Sequence, residues 1–432
     1  MNNRVLIVSP NFPPINAPDH QRIRMALPYF AEFGWEVTIL CIDSNFLEGV
    51  VDTSLDLTIP SNIEIIKSYA IPPNISRKIG IGNLAFRSMP FLIAAISKYL
   101  EKNTIDLVYF SNTVFLTMVL GRYWLERYKI PYILDFQDPW LSDYYDRTHK
   151  APPGGKLKYK TAQTLARILE PFTLKRASHI TTVSPEYSKM LRQRYSWLRE
   201  DQFTVLPFGA PEKDFEILPS LNIQQTIFDP NDGCKHWVYV GRGGDDMAFS
   251  LKSLFSAIQT HRQLLPEAWQ KIKLHFVGTK YSIFDHNKEI EAIAQSYNLG
   301  DIVTEYPQRI PYFEALQVLT DSHGILIIGS DDESYSASKI YPCILARKPI
   351  LAILHQQSLV VTVIESCQAG QVVTFNDQAT TNILKQLTTK LNWLLSQSQE
   401  YTPTTDWQAF NPYTAREMTR QQCAIFDRYV SS

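Results

Sequence analysis

Two stretches of this chain carry residue types suited to chemistry. The first is Ser336-Ala-Ser-Lys-Ile-Tyr-Pro-Cys-Ile-Leu-Ala-Arg-Lys-Pro-Ile-Leu-Ala-Ile353. The hydroxyls of Ser336 and Ser338 and the ammonium of Lys339 stand just where a short helix is predicted to begin. A helix N-terminus carries unpaired N–H groups and a favourable dipole, so the pattern reads as an anion site. The second stretch is Pro131-Tyr-Ile-Leu-Asp-Phe-Gln-Asp-Pro-Trp140. Here Asp138 could orient or deprotonate a hydroxyl, whereas Gln137 can hydrogen-bond one but cannot titrate. A carboxylate just after a strand can equally cap the next helix, which is the reading favoured for Asp135.

The elements that must position these groups follow from short apolar runs. Strands are predicted at 4–8, 35–41, 63–68, 107–110, 132–135, 179–183 and 203–207. Helices are expected at 20–33, 91–102, 113–128, 158–175 and 185–195. The opening strand, Pro-rich loop, helix and strand form the first unit of a doubly wound α/β sheet. A second series follows, with strands at 237–240, 273–277, 302–305, 324–328, 350–354 and 371–374. At 432 residues the chain is long for one core, so two domains are expected. The divisions read as 1–210, a Pro- and Asp-rich linker at 211–232, a second domain at 233–405 and a helical tail at 406–432.

Composition narrows the function classes. The formal net charge is -1, which gives no general case for nucleic-acid binding. The five cysteines are scattered and form no C-x-x-C pair, which argues for reduced thiols in a cytoplasmic protein rather than a disulfide or zinc framework. The first apolar run, Val5 to Val8, is too short for a signal peptide, and no apolar stretch reaches the roughly 20 residues of a spanning helix.

The motifs resemble those of GT-B glycosyltransferases, especially the family 4-like group. The donor segment of that group runs S-K-[IL]-[FY]-E-Y-L-A-x-[GR]-K-P-[IV]-[IL]-A. This chain keeps Ser338, Lys339, Ile340, Tyr341, Leu345, Ala346, Lys348 and Pro349, and has Pro342 in place of the glutamate. Val8-Ser-Pro-Asn-Phe-Pro-Pro14 is similar to the F-P-P loop after the first strand. Asp135 to Trp140 is similar to D-[FL]-R-D-P-W, Val205-Leu-Pro-Phe-Gly209 to V-[IL]-P-[FN]-G, Tyr239 to Arg242 to Y-x-G-R, and Phe276-Val-Gly278 to F-x-G.

The resemblance implies two Rossmann-like doubly wound domains facing a central cleft. It implies transfer of a sugar from a nucleoside-diphosphate sugar to an acceptor hydroxyl, with retention and with no cofactor or metal. Arg242, flanked by Gly241 and Gly243, would meet the pyrophosphate, with Ser336, Ser338, Lys339 and Ile340 beside it. Gly278 and Arg309 would lie near the nucleotide. Met247 stands where the family supplies a lysine, and Lys339 could replace that charge. Glu333 would take the sugar-side carboxylate role, beside Ser334 at the aligned position, with Asp331 and Asp332 as alternatives. Asp138 and Gln137 would complete the catalytic set. Pro14, Asn16 and Arg22 would line the acceptor side, the arginine meeting a phosphate or an acidic acceptor. The acceptor itself, whether glycan, lipid-linked or small molecule, stays open, and no nucleic-acid partner is implied. A basic band from Arg147 to Arg199 reads either as a solvated helix face or as a peripheral contact with anionic membrane. The departures at Gln137, Met247 and Pro342 motivate a second reading, a non-catalytic relative that binds a nucleotide, glycan or protein.

Overall fold

The computed structural model describes residues 3–79, 82–142, 155–280, 285–331, 339–376, 380–398 and 400–430. The chain divides into two units: 1–209 with 415–432, and 210–414.

The first unit holds seven parallel strands: β1 (Asn3–Val8), β2 (Trp35–Ile42), β3 (Glu64–Ser68), β4 (Leu107–Ser111), β5 (Tyr132–Phe136), β6 (His179–Thr182) and β7 (Phe203–Val205). Their order is β3-β2-β1-β4-β5-β6-β7. Side chains alternate between faces, as a pleated strand requires. Leu6, Val8, Val108 and Phe110 enter one core. Val5, Ile7, Leu107 and Tyr109 enter the other. Burial on both faces explains why these strands read as continuous apolar runs.

The second unit holds six parallel strands: β8 (Lys235–Val240), β9 (Ile272–Val277), β10 (Val303–Tyr306), β11 (Gly324–Ile328), β12 (Ile350–His355) and β13 (Gln371–Phe375). Their order is β10-β9-β8-β11-β12-β13. Each sheet therefore has a switch point where successive connections turn to opposite sides, at β1/β4 and at β8/β11. Such points leave a crevice beyond the carboxyl ends of the strands.

The predicted strands all form, with small shifts at their ends. The helices differ more. The helix expected over 20–33 is broken into a 3-10 turn at Pro18–His20, the α-helix Gln21–Ala26 and a 3-10 turn at Phe30–Phe33. Pro28 causes the break, because it has no N–H and its ring crowds the preceding turn. The helix expected from residue 91 begins at Leu84, where Asn83 caps it, and carries Pro90 inside.

Residues 211–232 are not a free linker. They include the helix Glu212–Ile217 and the turn Leu218–Leu221, and Leu218 packs on Phe313 and Leu316 of the second unit. The tail is divided too. Its helix Ala415–Phe426 packs on the first unit, where the Phe426 ring meets Trp35 at 5.2 Å and Tyr109 at 5.1 Å. All five cysteines are unpaired and four of them are buried.

Three imidazoles gather beneath the second sheet. His236 Nδ1 lies 2.9 Å from His275 Nε2, and the His236 backbone N–H donates to His323 Nδ1 at 3.2 Å. Burial first, and His236 second, lower both His275 and His323 to about 4. Their folded values lie below the unfolded value, so the unfolded chain binds more protons between the two. The stability they contribute is complete above the unfolded value, near 6.5, and is lost as pH falls towards 4. The melting temperature should therefore drop by several degrees, on the order of 4 °C or more, between pH 7 and pH 5. His275→Gln should flatten that dependence in scanning calorimetry.

Candidate functional site

In the second unit the site starts at the end of β8. Gly241 has no side chain, and a Cβ there would lie 2.6 Å from Lys339 Nζ and 3.0 Å from Tyr239 Oη. Glycine thus lets the Lys339 ammonium lie across the strand end. Lys339 itself immediately precedes the helix Ile340–Leu345. Burial, then the charges of Arg242 and Arg309, lower the Lys339 ammonium to about 7. Arg309 follows β10 and lies over Gly278, where a Cβ would be 3.8 Å from its Cα. Gly278 has φ +73°, a conformation that favours glycine. Three cations thus collect where β8, β9 and β10 end, beside the switch point.

The loop holding Arg242 is tied on both sides. Gly243 donates its N–H to the Thr279 carbonyl at 2.7 Å. The guanidinium grips Asp246 in a two-pronged pair at 2.9 and 2.7 Å. Burial alone would raise the Asp246 carboxyl, but hydrogen bonds from Arg242 and Ser330 outweigh it and hold it low. Asp246 was not foreseen as the arginine's partner. Its signal was local: an acid four residues after the arginine, in a glycine-rich turn.

Several expected donor residues take other roles. Met247 is buried in the core, with its sulfur 3.6 Å from Tyr239 Oη. An apolar side chain in that place presents no charge to a ligand. The Ile340 side chain is likewise core, 1% exposed. The Gly278 N–H is already paired with the Tyr306 carbonyl at 2.8 Å. Glu333, Ser336 and Ser338, with Asp332 and Ser334, lie outside the described residues. Asp331 is exposed, and its N–H donates to the Asp246 carbonyl at 2.9 Å.

In the first unit the expected acceptor side is reorganised by charge pairing. Arg22 is not presented to a ligand. Its Nε lies 2.9 Å from Asp135 Oδ2, with both side chains 0% exposed. Its Nη2 and Nη1 donate to the carbonyls of Leu206 at 2.7 Å and Pro207 at 3.1 Å. Asp135 also accepts from Ser111 at 2.8 Å, Thr181 at 2.9 Å and Gln137 at 3.1 Å. It is the hub of a buried network and not a helix cap. Gln137 belongs to the same network, since its amide also reaches Ser111 Oγ at 3.0 Å and the Asp19 carbonyl at 3.0 Å. It is 6% exposed and fixes strand ends.

Pro14 and Asn16 lie in a loop pinned by Asp52 N–H to the Pro14 carbonyl at 2.7 Å and by Asn16 N–H to the Val50 carbonyl at 2.8 Å. Asp138 differs from its neighbours. It is exposed, yet protein atoms crowd its carboxyl. That crowding first, and the Asp19 carboxylate second, push it up to about 6. Sequence reasoning missed Asp19, whose type and place at the end of the loop after β1 were its only signal.

Two parallel doubly wound sheets of seven and six strands in one chain are an α/β fold of the GT-B kind. Residues 21–212 match Glycosyltransferase Family 4, which covers most of the first unit. The fold is shared with sucrose-phosphate synthase from Thermosynechococcus elongatus, at TM-score 0.60 and 15% identity over 99% of this chain and 98% of that one. It is shared with Anabaena HepE in complex with UDP and glucose, at TM-score 0.58 and 14% identity over 99% and 100%. A glycosyltransferase from Rickettsia africae aligns at TM-score 0.58 and 14% identity over 99% and 98%. No curated protein matches the sequence.

Removing Arg22 would leave Asp135 buried without its cation. Arg22→Met should cost about 3–5 kcal/mol in urea unfolding of the first unit. The double variant R22M/D135N should recover part of that loss, and equal stability of R22M and the parent would show that the pair is dispensable.

Proposed function

We propose that this protein is a glycosyltransferase that moves a sugar from a nucleoside-diphosphate sugar to an acceptor hydroxyl. The observation that carries this reading is the convergence of Lys339, Arg242 and Arg309 at the switch point of the second sheet. The departing diphosphate gains negative charge as the anomeric bond breaks, and fixed cations stabilise that charge without reorganising. Arg242 suits the task because its planar fork matches phosphate oxygens, and Asp246 holds the fork still. Lys339 supplies the charge that Met247 does not. On the first unit, Asp138 is the group able to take a proton from the acceptor. Retention, and independence from metal, belong to the proposal through the family resemblance alone. On that reading, chelation with EDTA leaves the rate unchanged.

Lys339 makes the proposal sensitive to pH. A bound diphosphate stabilises its charged form, so its proton affinity rises from the free value of about 7. Binding therefore takes up a proton at slightly alkaline pH and weakens as pH rises further. Calorimetric titration with UDP, GDP and ADP in buffers of different ionisation enthalpy reads both effects. Lys339→Met should abolish proton uptake and weaken binding by roughly tenfold to a hundredfold, or about 1.4–2.8 kcal/mol. Failure of all three nucleotides to bind would sink the donor site. Binding without hydrolysis or transfer of any nucleotide sugar would favour the non-catalytic reading, which the locked amide of Gln137 and the proline at 342 support.

A membrane partner is supported by the helix Lys156–Leu174. Leu157, Ile168 and Phe172 are 82%, 63% and 39% exposed among the exposed cations Lys156, Lys158, Lys160 and Arg167. Apolar side chains amid basic ones suit an anionic headgroup surface. Flotation with vesicles containing phosphatidylserine should recover the protein, and the double variant Leu157→Asp/Ile168→Asp should stay unbound. Equal recovery with neutral vesicles would remove the electrostatic part. Among the described residues, no helix is long and apolar enough to cross a membrane.

A further inference from the structure

The second unit carries a cavity at the other end of its sheet from Lys339, Arg242 and Arg309. It measures about 380 Å3, within the range of roughly 300–1,000 Å3 usual for small-molecule sites. Glu365 lines it from the end of the helix Leu359–Ser366, with Gln368 just beyond. Gln371, at the first position of β13, and Trp393, in the helix Thr380–Ser396, form further walls. Tyr401 and Thr404 close it from the segment that follows that helix. The strands are parallel, so the start of β13 and the three cations beyond the strand ends lie at opposite edges of the sheet.

The aromatic part is fixed in place. Trp393 packs against the core of the second unit, and Tyr401 stands edge-on to it, with ring centroids 6.2 Å apart at 88°. The segment bearing Tyr401 and Thr404 is tied at both ends. Tyr401 N–H donates to the Ser398 carbonyl at 3.2 Å, and Asp406 N–H donates to the Cys367 carbonyl at 2.8 Å. The polar part is held as well. Val373 and Phe375 enter the core, and alternation along β13 puts Gln371 on their face. Lys390 Nζ donates to Gln371 Oε1, which fixes the amide and leaves its N–H groups to donate. Gln368 has φ +51°, where glycine is the usual residue after a helix. An amide side chain thus stands at the rim against a backbone preference. Glu365, Gln368 and Thr404 are exposed, and Gln371, Trp393 and Tyr401 are half-buried, so all six are within reach of a ligand.

Chemistry selects that ligand. Aromatic rings cover apolar C–H surface, while amides, a hydroxyl and a carboxylate exchange hydrogen bonds. A saccharide ring offers both at once, C–H groups on a face and hydroxyls around its edge. Among the described residues that line the cavity, Glu365 is the one charged side chain. An anion would meet a like charge there and no cation.

We propose that this cavity is a second binding site, for a neutral saccharide, apart from the site of transfer. It stands on the second unit alone and does not depend on the transferase reading. Trp393 and Tyr401 pack on the sugar ring, and Gln368, Gln371, Glu365 and Thr404 orient its hydroxyls. A glycan held there is anchored without being a reactant.

The test uses the intact protein labelled with 15N, the indole signal of Trp393 being assigned by its absence in Trp393→Phe. Maltotriose, cellotriose and chitotriose are titrated separately. At least one should move the Trp393 signal to saturation, and trigalacturonate should need at least about tenfold more, because it brings like charge to Glu365. Tyr401→Ala, and Gln368→Ala at an exposed position, should each weaken binding roughly threefold or more and leave UDP binding unchanged. The proposal is overturned if none of the three neutral sugars moves the signal, if trigalacturonate acts at equal or lower concentration, or if both variants bind as the parent does. UDP titrated into the same sample separates the two failures. UDP binding with no sugar response defeats the saccharide site alone, and a sugar response without UDP binding upholds this site while defeating the donor site.

Discussion

A carboxylate buried in the middle of a parallel sheet must find cations and donors there, and in the first unit Asp135 meets that demand. It gathers Ser111 from β4, Thr181 from β6, Gln137 from its own strand end and Arg22 from the helix after the first loop. Arg22 reaches on to the carbonyls of Leu206 and Pro207. One side chain thereby joins three strands, the first helix and the end of the domain's last strand. The positions of Asp19 and Asp138 follow from it, because Gln137 links the hub to the Asp19 loop and directly precedes Asp138. Buried pairs of this kind are poor sources of net stability, yet breaking one is expensive. Their value here is placement.

The second unit solves a different problem. Three like charges lie close together at strand ends. Burial and mutual repulsion are relieved on Lys339 by a lowered proton affinity, and on Arg242 by Asp246. Gly241 supplies the room, since any side chain there would meet the lysine. The two units thus handle charge differently, by clustered cations in the second and by a buried ion pair in the first.

The strands were legible because burial on both faces of a parallel sheet writes itself into short apolar runs, as in Val5 to Val8 or Ile350 to Leu354. Helices were less so. Pro28 and Pro90 look alike in sequence, but Pro28 breaks its helix and Pro90 sits inside one. Residues 211–232 looked like a linker because Pro, Asn and Asp dominate there. Their few apolar side chains nonetheless pack on the helix Tyr312–Asp321. At the candidate site, type and place pointed to Lys339, Arg242 and Asp138, whereas the pairing of Arg22 with Asp135 was not foreseen.

The sequence alone determined two doubly wound α/β halves and the strand ends at which polar groups collect, since alternation and turn chemistry act between near neighbours in the chain. Only the tertiary structure decided which of those polar groups pair with one another. Arg22 and Asp135 are far apart in sequence and cancel in space. Charges act through distance in three dimensions and are screened or paired by whatever the fold brings beside them, and the order of residues does not state those distances.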